Sequence, residues 1–376
     1  MNTMQNSTLL VDGMAAFEEI LRCIDAAHSS ILINMFLWRD DTIGNRLAHA
    51  VLRAADRGVH VKISVDRVGM IFELCEENER SFFHTNPSAF ERLKIGVLRW
   101  GYPQNRSEAN AEKNCPGLLE QLLSHPNIAV DRERKKNDHS KFYIIDDHIL
   151  IFGGINVEDK EYGRDCAGRV YQDYMLKLEG REHVRAFFDK LKQNRDTSES
   201  YYLRMNNKTI HPPVFEMYER FLSVINGARK ELVIVMAYFA PVKSIIRAIV
   251  SAWQRGVHIR ILIPGNANFQ NDSNLRTIYL LMKYCRNEID VRLSPKMIHT
   301  KLILSENTVI FGSCNMNNRA YFQLGEVDIE LKNEDIPLIH HIKESVEENW
   351  SLSQPVEDYR RIRYSPVIAW IESRLN

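Results

Sequence analysis

Apolar residues recur along the chain with two periods that alternate from segment to segment. Residues 14–27 and 42–57 carry apolar side chains every three to four positions, which predicts amphipathic helices, and the apolar run 30–38 between them predicts a buried strand. The same order of helix, strand and helix returns later, at residues 213–227, 231–239 and 243–256. Helices alternating with apolar strands are typical of α/β proteins, so we expect two α/β halves, each with a mostly parallel sheet flanked by helices.

A short repeat supports this division. The segment RGVHVKI at 57–63 is echoed by RGVHIRI at 255–261, an offset of 198 positions. A second echoed pair, described below, has an offset of 160, so the first half contains about 38 additional residues, which fall within 70–130. An insertion there could shape access to a site or be a surface excursion. We predict a first half at 1–193, a linker at 194–212 and a second half at 213–376.

The second echoed pair carries candidate chemistry. Each half contains a histidine, a lysine two positions later and an asparagine shortly after a Gly-Gly or Gly-Ser pair: His139, Lys141, Gly154 and Asn156, then His299, Lys301, Ser313 and Asn315. Residues two apart on a strand point to the same face, so each histidine is expected beside its lysine, and a returning strand brings the asparagine alongside. One HxK triplet is an expected accident in a chain of this length, but two matching sets inside a repeat are not.

These residue types suit attack on a phosphodiester. Its anionic oxygens repel nucleophiles, so a catalyst needs cationic and hydrogen-bonding groups around them, a nucleophile, and an acid for the leaving alkoxide. Histidine titrates near neutrality, so one imidazole can attack while the other donates a proton. Asp173 and Glu326, which open later strands, are predicted to orient His139 and His299. This chemistry requires no metal and no cofactor.

The composition of the chain bears on its binding partners and on its cellular compartment. The chain is 44% hydrophobic and 26% charged, as in globular proteins, and its 49 basic residues balance 49 acidic ones, which argues against a nucleic-acid partner. Six scattered cysteines without a CxxC pair fit a reducing compartment. The longest uncharged stretch, 26–38, is too short to span a membrane, and the amino terminus has no pattern of a signal peptide. We therefore expect a cytoplasmic protein.

The HxKxxxxD pattern of His139, Lys141 and Asp146, followed by G(G/S)xN, resembles the signature of the phospholipase D superfamily. Segments such as GVHIRILIPG at 256–265 and GSCNMNNRAYFQLGEV at 312–327 are similar to its cardiolipin synthase-like branch. The resemblance covers most of the chain. It implies two similar halves packed about a pseudo-twofold axis with one active site between them.

On the family pattern, His139 is the nucleophile and His299 the general acid, with Gly154 and Ser313 among the substrate-binding residues. The second motif departs from the pattern, because Glu306 stands where the family carries Asp and the interval from lysine to glycine is one residue shorter than in the first. We expect Glu306 to be a structural substitute in a tighter turn.

The resemblance implies a phosphatidyltransferase or phospholipase D that acts on glycerophospholipids, and we expect cardiolipin synthase-like transfer to a lipid alcohol. Hydrolysis, a nuclease or other phosphodiesterase activity at the same site, and a non-catalytic lipid-binding relative are the alternatives. A phospholipid substrate implies peripheral contact with the inner face of the membrane. The segment SPVIAWIESRL, preceded by Arg360, Arg361 and Arg363, could lie on a membrane or dock onto the body. One chain holds both half-sites, so no obligate oligomer is expected.

Overall fold

The computed structural model describes residues 3–75, 81–83, 86–101, 117–163, 168–334 and 336–375. Much of the predicted insertion at 70–130 lies outside the described residues. The chain divides into two compact units between Asp189 and Lys190, inside a helix.

The first unit combines one main sheet with flanking helices. Its helices are α1 (Asp12–Asp25), α2 (Thr42–Asp56), α3 (Arg67–Cys75), α4 (Ala89–Gly101), α5 (Leu118–Ser124), α6 (Asp159–Tyr162) and α7 (Arg181–Gln193). Its strands are β1 (Ser7–Val11), β2 (Ser30–Met35), β3 (His60–Val65), β4 (Ile128–Asp131), β5 (Lys141–Ile145), β6 (Ile149–Gly153), β7 (Tyr171–Gln172) and β8 (Tyr174–Glu179).

The seven-stranded sheet of this unit has the order β1-β8-β6-β5-β2-β3-β4. Strands β2, β3 and β4 pair in parallel, because helices or longer segments carry the chain back between them. The remaining neighbours pair antiparallel, since β5 and β6 form a hairpin. Helix α1 buries Phe17, Ile20 and Ile24 against this sheet, the spacing that its apolar pattern predicts.

The second unit repeats this plan. Its helices are α8 (Met217–Gly227), α9 (Lys243–Gln254), α10 (Asn271–Tyr284), α11 (Asn318–Phe322), α12 (Pro337–Ser351) and α13 (Pro366–Leu375). Its strands are β9 (Tyr202–Asn207), β10 (Val214–Phe215), β11 (Glu231–Met236), β12 (Phe239–Ala240), β13 (His258–Pro264), β14 (Asp290–Ser294), β15 (Met297–Ile298), β16 (Lys301–Ser305), β17 (Thr308–Gly312), β18 (Met316–Asn317), β19 (Glu326–Lys332) and β20 (Gln354–Pro355).

The nine-stranded sheet of the second unit has the order β10-β9-β19-β17-β16-β11-β13-β14-β20. Again the strands that alternate with helices, β11, β13 and β14, pair in parallel. The hairpin of β16 and β17 and the strands beyond it pair antiparallel.

The predicted α/β class with two similar halves is confirmed, with one refinement. Parallel pairing is confined to three adjacent strands toward one end of each sheet, because the motif strands fold as hairpins that helical periodicity does not reveal. The segment 194–212, predicted as a linker, contains β9, which pairs with β19 in the second sheet. Within the described residues, no helix combines the length and the apolar character needed to cross a bilayer.

Candidate active site

The sheet register of the first unit aligns its motif residues along one edge. Lys141 pairs with Gly153, and Gly153 pairs with Met175 on the next strand. His139 precedes β5 and Asp173 precedes β8, so both lie beyond the same end of the sheet. This is the carboxyl edge of β2, β3 and β4, where ligands of open α/β sheets usually bind.

The second unit places its motif residues in the same way. Lys301 pairs with Met236, and Gly312 pairs with Asp328. His299 precedes β16 and Glu326 opens β19 at the corresponding edge. Each unit therefore brings its predicted histidine, lysine and strand-opening carboxylate to one end of its sheet.

His139 is buried against an aromatic ring. The residue is 9% exposed, and its imidazole stands edge-on to Phe36, with 4.8 Å between ring centroids. The ammonium of Lys141 lies 5.5 Å from the centroid of the same ring and donates to the backbone carbonyl of His139 at 2.5 Å. Phe36 thus holds both side chains of the first motif in a largely desolvated position, where a charge on phosphate would be strongly felt.

His299 has a similar aromatic neighbour. Tyr238 stands edge-on to it at 6.0 Å, and the phenol of Tyr238 donates to the side-chain oxygen of Asn268 at 2.8 Å. Lys301 donates to the backbone carbonyl of His299. The fully buried Asn274 fixes the backbone on either side of Tyr238, since it accepts from Phe239 N at 2.6 Å and donates to the carbonyl of Ala237 at 2.8 Å.

The two motif asparagines are buried in short loops after β6 and β17. Asn156 is 3% exposed and Asn315 4% exposed, and within the described residues their side-chain oxygens accept no hydrogen bond. Buried amides are normally saturated. Open hydrogen-bonding capacity at the same place in both units fits groups that bind a ligand.

A buried ion pair supports the loop of Asn156. Val157 exchanges backbone hydrogen bonds with Leu37 and Arg39, and the guanidinium of Arg39 donates to Glu158 at 2.5 Å. Burial opposes ionisation of Glu158, but the charges of Lys160 and Arg39 outweigh it and hold its pKa well below the usual value. The matching loop of the second unit has the equivalent parallel pairing, between β12 and β18.

The predicted orienting carboxylates sit beside the glycine or serine of each motif. The Asp173 carboxylate lies against Gly154, in the space that a Cβ at that position would occupy. In the second unit the hydroxyl of Ser313 donates to Glu326 at 2.6 Å and accepts from Val327 N at 3.0 Å. Asp173 and Glu326 are 2% and 0% exposed.

The motif acids Asp146 and Glu306 hold turns. Asp146 accepts backbone hydrogen bonds from His28, Ser29 and Ser30 at 2.7 to 3.0 Å, and these outweigh burial to hold its pKa below the usual value. Glu306 accepts from the backbone of Arg229 at 2.7 Å and Glu231 at 3.3 Å, which lowers its pKa in the same way against burial. The longer glutamate side chain serves a hairpin whose turn is shorter by one residue.

Sequence reasoning missed several residues that position the motifs. Buried Asp66 accepts from Lys136 N at 3.1 Å and Asp138 N at 2.6 Å, which fixes the segment that leads into His139. Asn34 donates to Asp138 and to Ser140, and Asp328 accepts from Ser313 N and Cys314 N. A lone polar residue inside an apolar strand, such as Asn34 in SILINM, was the available signal.

The insertion contributes to a cleft beside the first motif. Part of α3 lies within the predicted insertion, and its Glu73 lines a cleft together with Phe36, Trp38, Asp66 and Arg132. Phe36 therefore faces both this cleft and His139.

A reactive cysteine and a metal site receive less support than the histidine motifs. Burial and the nearby carboxylates of Glu326 and Asp328 raise the pKa of Cys314 well above its usual value, against the charge of Lys301, so this thiol stays protonated. Among the described residues, no group of three histidine, cysteine or acidic side chains is arranged to hold a metal ion.

The chain is similar in sequence to cardiolipin synthases and in fold to a phosphatidylserine synthase. Cardiolipin synthase A of Pseudomonas aeruginosa strain LESB58 is 24% identical over 336 residues, covering 83% of this chain, and its counterpart in Pseudomonas entomophila strain L48 is 25% identical over 335 residues, again covering 83%. The chain spans 61% and 62% of the length of these relatives. A phosphatidylserine synthase from Haemophilus influenzae Rd KW20 shares the fold, with a TM-score of 0.69, 12% identity and coverage of 99% of this chain and 92% of that one.

The family profile described as "Cardiolipin synthase, PLD-like domain" matches residues 20–193 and 221–350, which contain both histidine motifs and most of the chain. The protein therefore belongs to the cardiolipin synthase, phospholipase D-like domain family.

Proposed function

We propose that this protein is a phosphatidyltransferase that moves a phosphatidyl group from one glycerophospholipid to the hydroxyl of a lipid alcohol, through a phosphohistidine on His139. The observation that carries the proposal is the duplication of one buried set, a histidine, a lysine and an asparagine, at the carboxyl edge of each sheet. Family membership supports it, as does the similarity to cardiolipin synthases. The proposal requires that both sets serve the same phosphate.

The first step forms a bond from a ring nitrogen of His139 to phosphorus and breaks the bond from phosphorus to the headgroup oxygen. His299, protonated, gives its proton to the departing alkoxide. The ammonium groups of Lys141 and Lys301 offset the charge of the phosphate oxygens, and Asn156 contributes hydrogen bonds. Their burial strengthens these interactions, because little water competes.

The second step returns the enzyme to its starting state. The acceptor hydroxyl attacks phosphorus and loses its proton to the now neutral His299, while the bond to His139 breaks. Asp173 and Glu326 are proposed to fix the tautomer of each imidazole and to stabilise its positive form. Water in place of the lipid alcohol gives phosphatidic acid by the same route.

We further propose that the protein reaches its lipid from the cytoplasmic face as a peripheral protein. The described cysteines Cys23, Cys285 and Cys314 are buried free thiols, which suits a reducing compartment.

The test is mass spectrometry of lipids after purified protein is incubated with phosphatidylglycerol and phosphatidylethanolamine vesicles, with glycerol or ethanol as competing acceptors. Cardiolipin that forms with the wild type and disappears in His139→Ala supports the transferase. Phosphatidic acid alone makes the protein a hydrolase, and unchanged lipids reject both activities.

A matched control separates the motif from a general effect of losing an imidazole. His258 is largely exposed and is held by Asp290 at 2.7 Å, remote in sequence from both motifs, so His258→Ala should retain full activity. His299→Ala should lose transfer, because the leaving alcohol of the first step and the acceptor of the second step both lose their proton carrier. Any phosphatidyl group that does reach His139 should stay bound longer than in the wild type, because the acceptor lacks its base. Lipid turnover that survives replacement of both motif histidines would reject this site.

A further inference from the structure

Helix α13 presents an apolar face outward. Ala369 is fully buried and Glu372 is 4% exposed on its inner side, whereas Val367 is 66% exposed and Trp370 58% exposed on the opposite side. Side chains three or four positions apart share a face of a helix, so Val367, Trp370 and Arg374 lie together. One side of α13 therefore packs against the protein, and the opposite side exposes apolar residues to solvent.

The inner side of α13 is fixed to α10. Ser273 N donates to the carboxylate of Glu372 at 2.7 Å, and the hydroxyl of Ser273 donates to the carbonyl of Ala369 at 3.1 Å. The next residue, Asn274, holds the backbone around Tyr238, whose ring faces His299. The exposed face of α13 is therefore built on the same helix that supports the second motif.

Basic and aromatic side chains surround this face. Arg374 lies 5.1 Å from the ring centroid of Trp370, and Arg360 lies 5.7 Å from that of Tyr359. Tyr359 and Tyr364 pack against Tyr279 of α10 at 5.4 and 5.6 Å. Aromatic side chains whose polar group faces water, together with arginines, are typical of surfaces that bind lipid headgroups.

The neighbouring acids are occupied locally. Glu372 faces inward, Asp272 accepts from Ser365 N, and Asp358 caps Arg360 N at 2.9 Å. Glu357 pairs with Arg361 at 3.2 Å. Of these acids only Glu357 is fully exposed, whereas Arg360, Arg361, Arg363 and Arg374 are all exposed, so basic groups predominate at the surface beside the apolar side chains.

We infer that the face formed by Val367, Trp370 and Arg374, with Arg360 and Arg363 at its border, is the surface by which this protein binds an anionic phospholipid bilayer. The inference deepens the proposed function, since it names the region that meets the lipid. Apolar side chains enter the headgroup boundary while the arginines attract anionic headgroups, each worth roughly a fivefold change in partitioning.

The experiment is sedimentation of the purified full chain with vesicles of phosphatidylglycerol or of phosphatidylcholine. Binding should favour phosphatidylglycerol and weaken with salt. The double variant Val367→Ser with Trp370→Ser should lose at least tenfold in affinity, and Arg360→Gln with Arg363→Gln roughly 25-fold on the anionic vesicles. The control is Leu352→Ser, because Leu352, the residue after α12, is 56% exposed and lies outside this face. Equal binding of the wild type and the double variant would overturn the inference.

Two further readouts separate this surface from the chemistry. A short-chain phosphatidylglycerol, kept below its micellar concentration, needs no bilayer, so wild type and double variant should turn it over equally. If neither protein turns over any lipid while vesicle binding still differs, the docking surface stands and the proposed reaction fails. A wild-type dimer that the double variant converts to a monomer would instead make this face a contact between copies and overturn the membrane assignment.

Discussion

The carboxylate of Asp173 occupies the space beside Gly154 in which a side chain would begin. The corresponding pair in the second unit, Glu326 and Ser313, is joined by a hydrogen bond of 2.6 Å. Both units thus place a carboxylate at this motif position. In the first unit the glycine leaves room for it, and in the second the serine hydroxyl binds it.

The first prediction follows from this difference. Gly154→Ser should displace the Asp173 carboxylate, because the new Cβ has no other space, and lower kcat by roughly 10²-fold or more if Asp173 orients His139. A steady-state assay of lipid transfer measures this. Ser313→Gly is the matched change and should cost about 1 to 3 kcal/mol of stability, because Val327 N loses its partner. Equal activity of wild type and Gly154→Ser would show that the Asp173 position does not matter.

A second prediction concerns the motif acids. Asp146 has its pKa lowered by backbone amides, so its contribution to stability is present above the ordinary carboxyl range and is lost as the pH falls through its folded-state pKa. Asp146→Asn should cost about 1 kcal/mol at pH 7, a small value because the group is partly solvated, and should reduce the loss of stability on acidification. Urea unfolding at pH 7 and at pH 3, below the ordinary carboxyl pKa of 3.8, measures both.

Glu306 provides the comparison. Glu306→Asp keeps the charge but shortens the reach to Arg229 N and Glu231 N, so it should destabilise the second unit about as much as Glu306→Gln. If Glu306→Asp were as stable as the wild type, the charge of the side chain, and not its length, would be what the turn requires.

Much of the fold and the motif positions could be predicted from the sequence. The apolar periods of α1 and α2 and the repeated RGVH segments predicted two α/β halves, because local pattern and local structure agree there. Sheet order was not predictable in this way. The antiparallel pairing of β8 with β6 joins strands that are distant in the chain, and no local signal specifies such partners.

The residues that position the motifs were harder to predict for a related reason. Asp66 and Asp138 meet only because β3 and the segment before β5 end at the same edge of the sheet. Asn274 acts on Tyr238 across 36 positions of chain. A side chain whose role is set by tertiary contacts leaves at most a local irregularity, such as a polar residue in an apolar run.

A third prediction tests the buried ion pair behind Asn156. Glu158→Gln leaves the Arg39 guanidinium buried without its carboxylate, which should destabilise the first unit by about 3 to 5 kcal/mol. At a temperature where both proteins are folded, the variant should also show a larger fall in kcat than rise in KM, because Asn156 is displaced. Asn317→Ala, at the matching position of the second unit, removes only a helix cap to Ala320 N and should cost about 1 kcal/mol. Costs of the same size in both variants would show that the ion pair gives no special support.

The last prediction concerns Glu73, whose carboxyl accepts from Trp38 N at 2.5 Å beside the first motif. Complete burial raises its pKa to about 8, against the opposing charge of Arg39. An unfolded glutamate ionises near its ordinary pKa of 4.5, so between that pH and about 8 the folded state binds more protons than the unfolded state. Stability should therefore fall as the pH rises through this window and level off above it.

Glu73→Gln keeps the acceptor for Trp38 N without the titration, so its Tm should exceed that of the wild type at pH 8 by more than at pH 5. Asp41, with a pKa that burial raises to about 7, should leave part of the slope in the variant. Glu120→Gln, on an exposed position of α5, should parallel the wild type at every pH, and a Tm difference for Glu73→Gln that stays constant from pH 5 to pH 8 would show that Glu73 is ionised in the folded protein throughout.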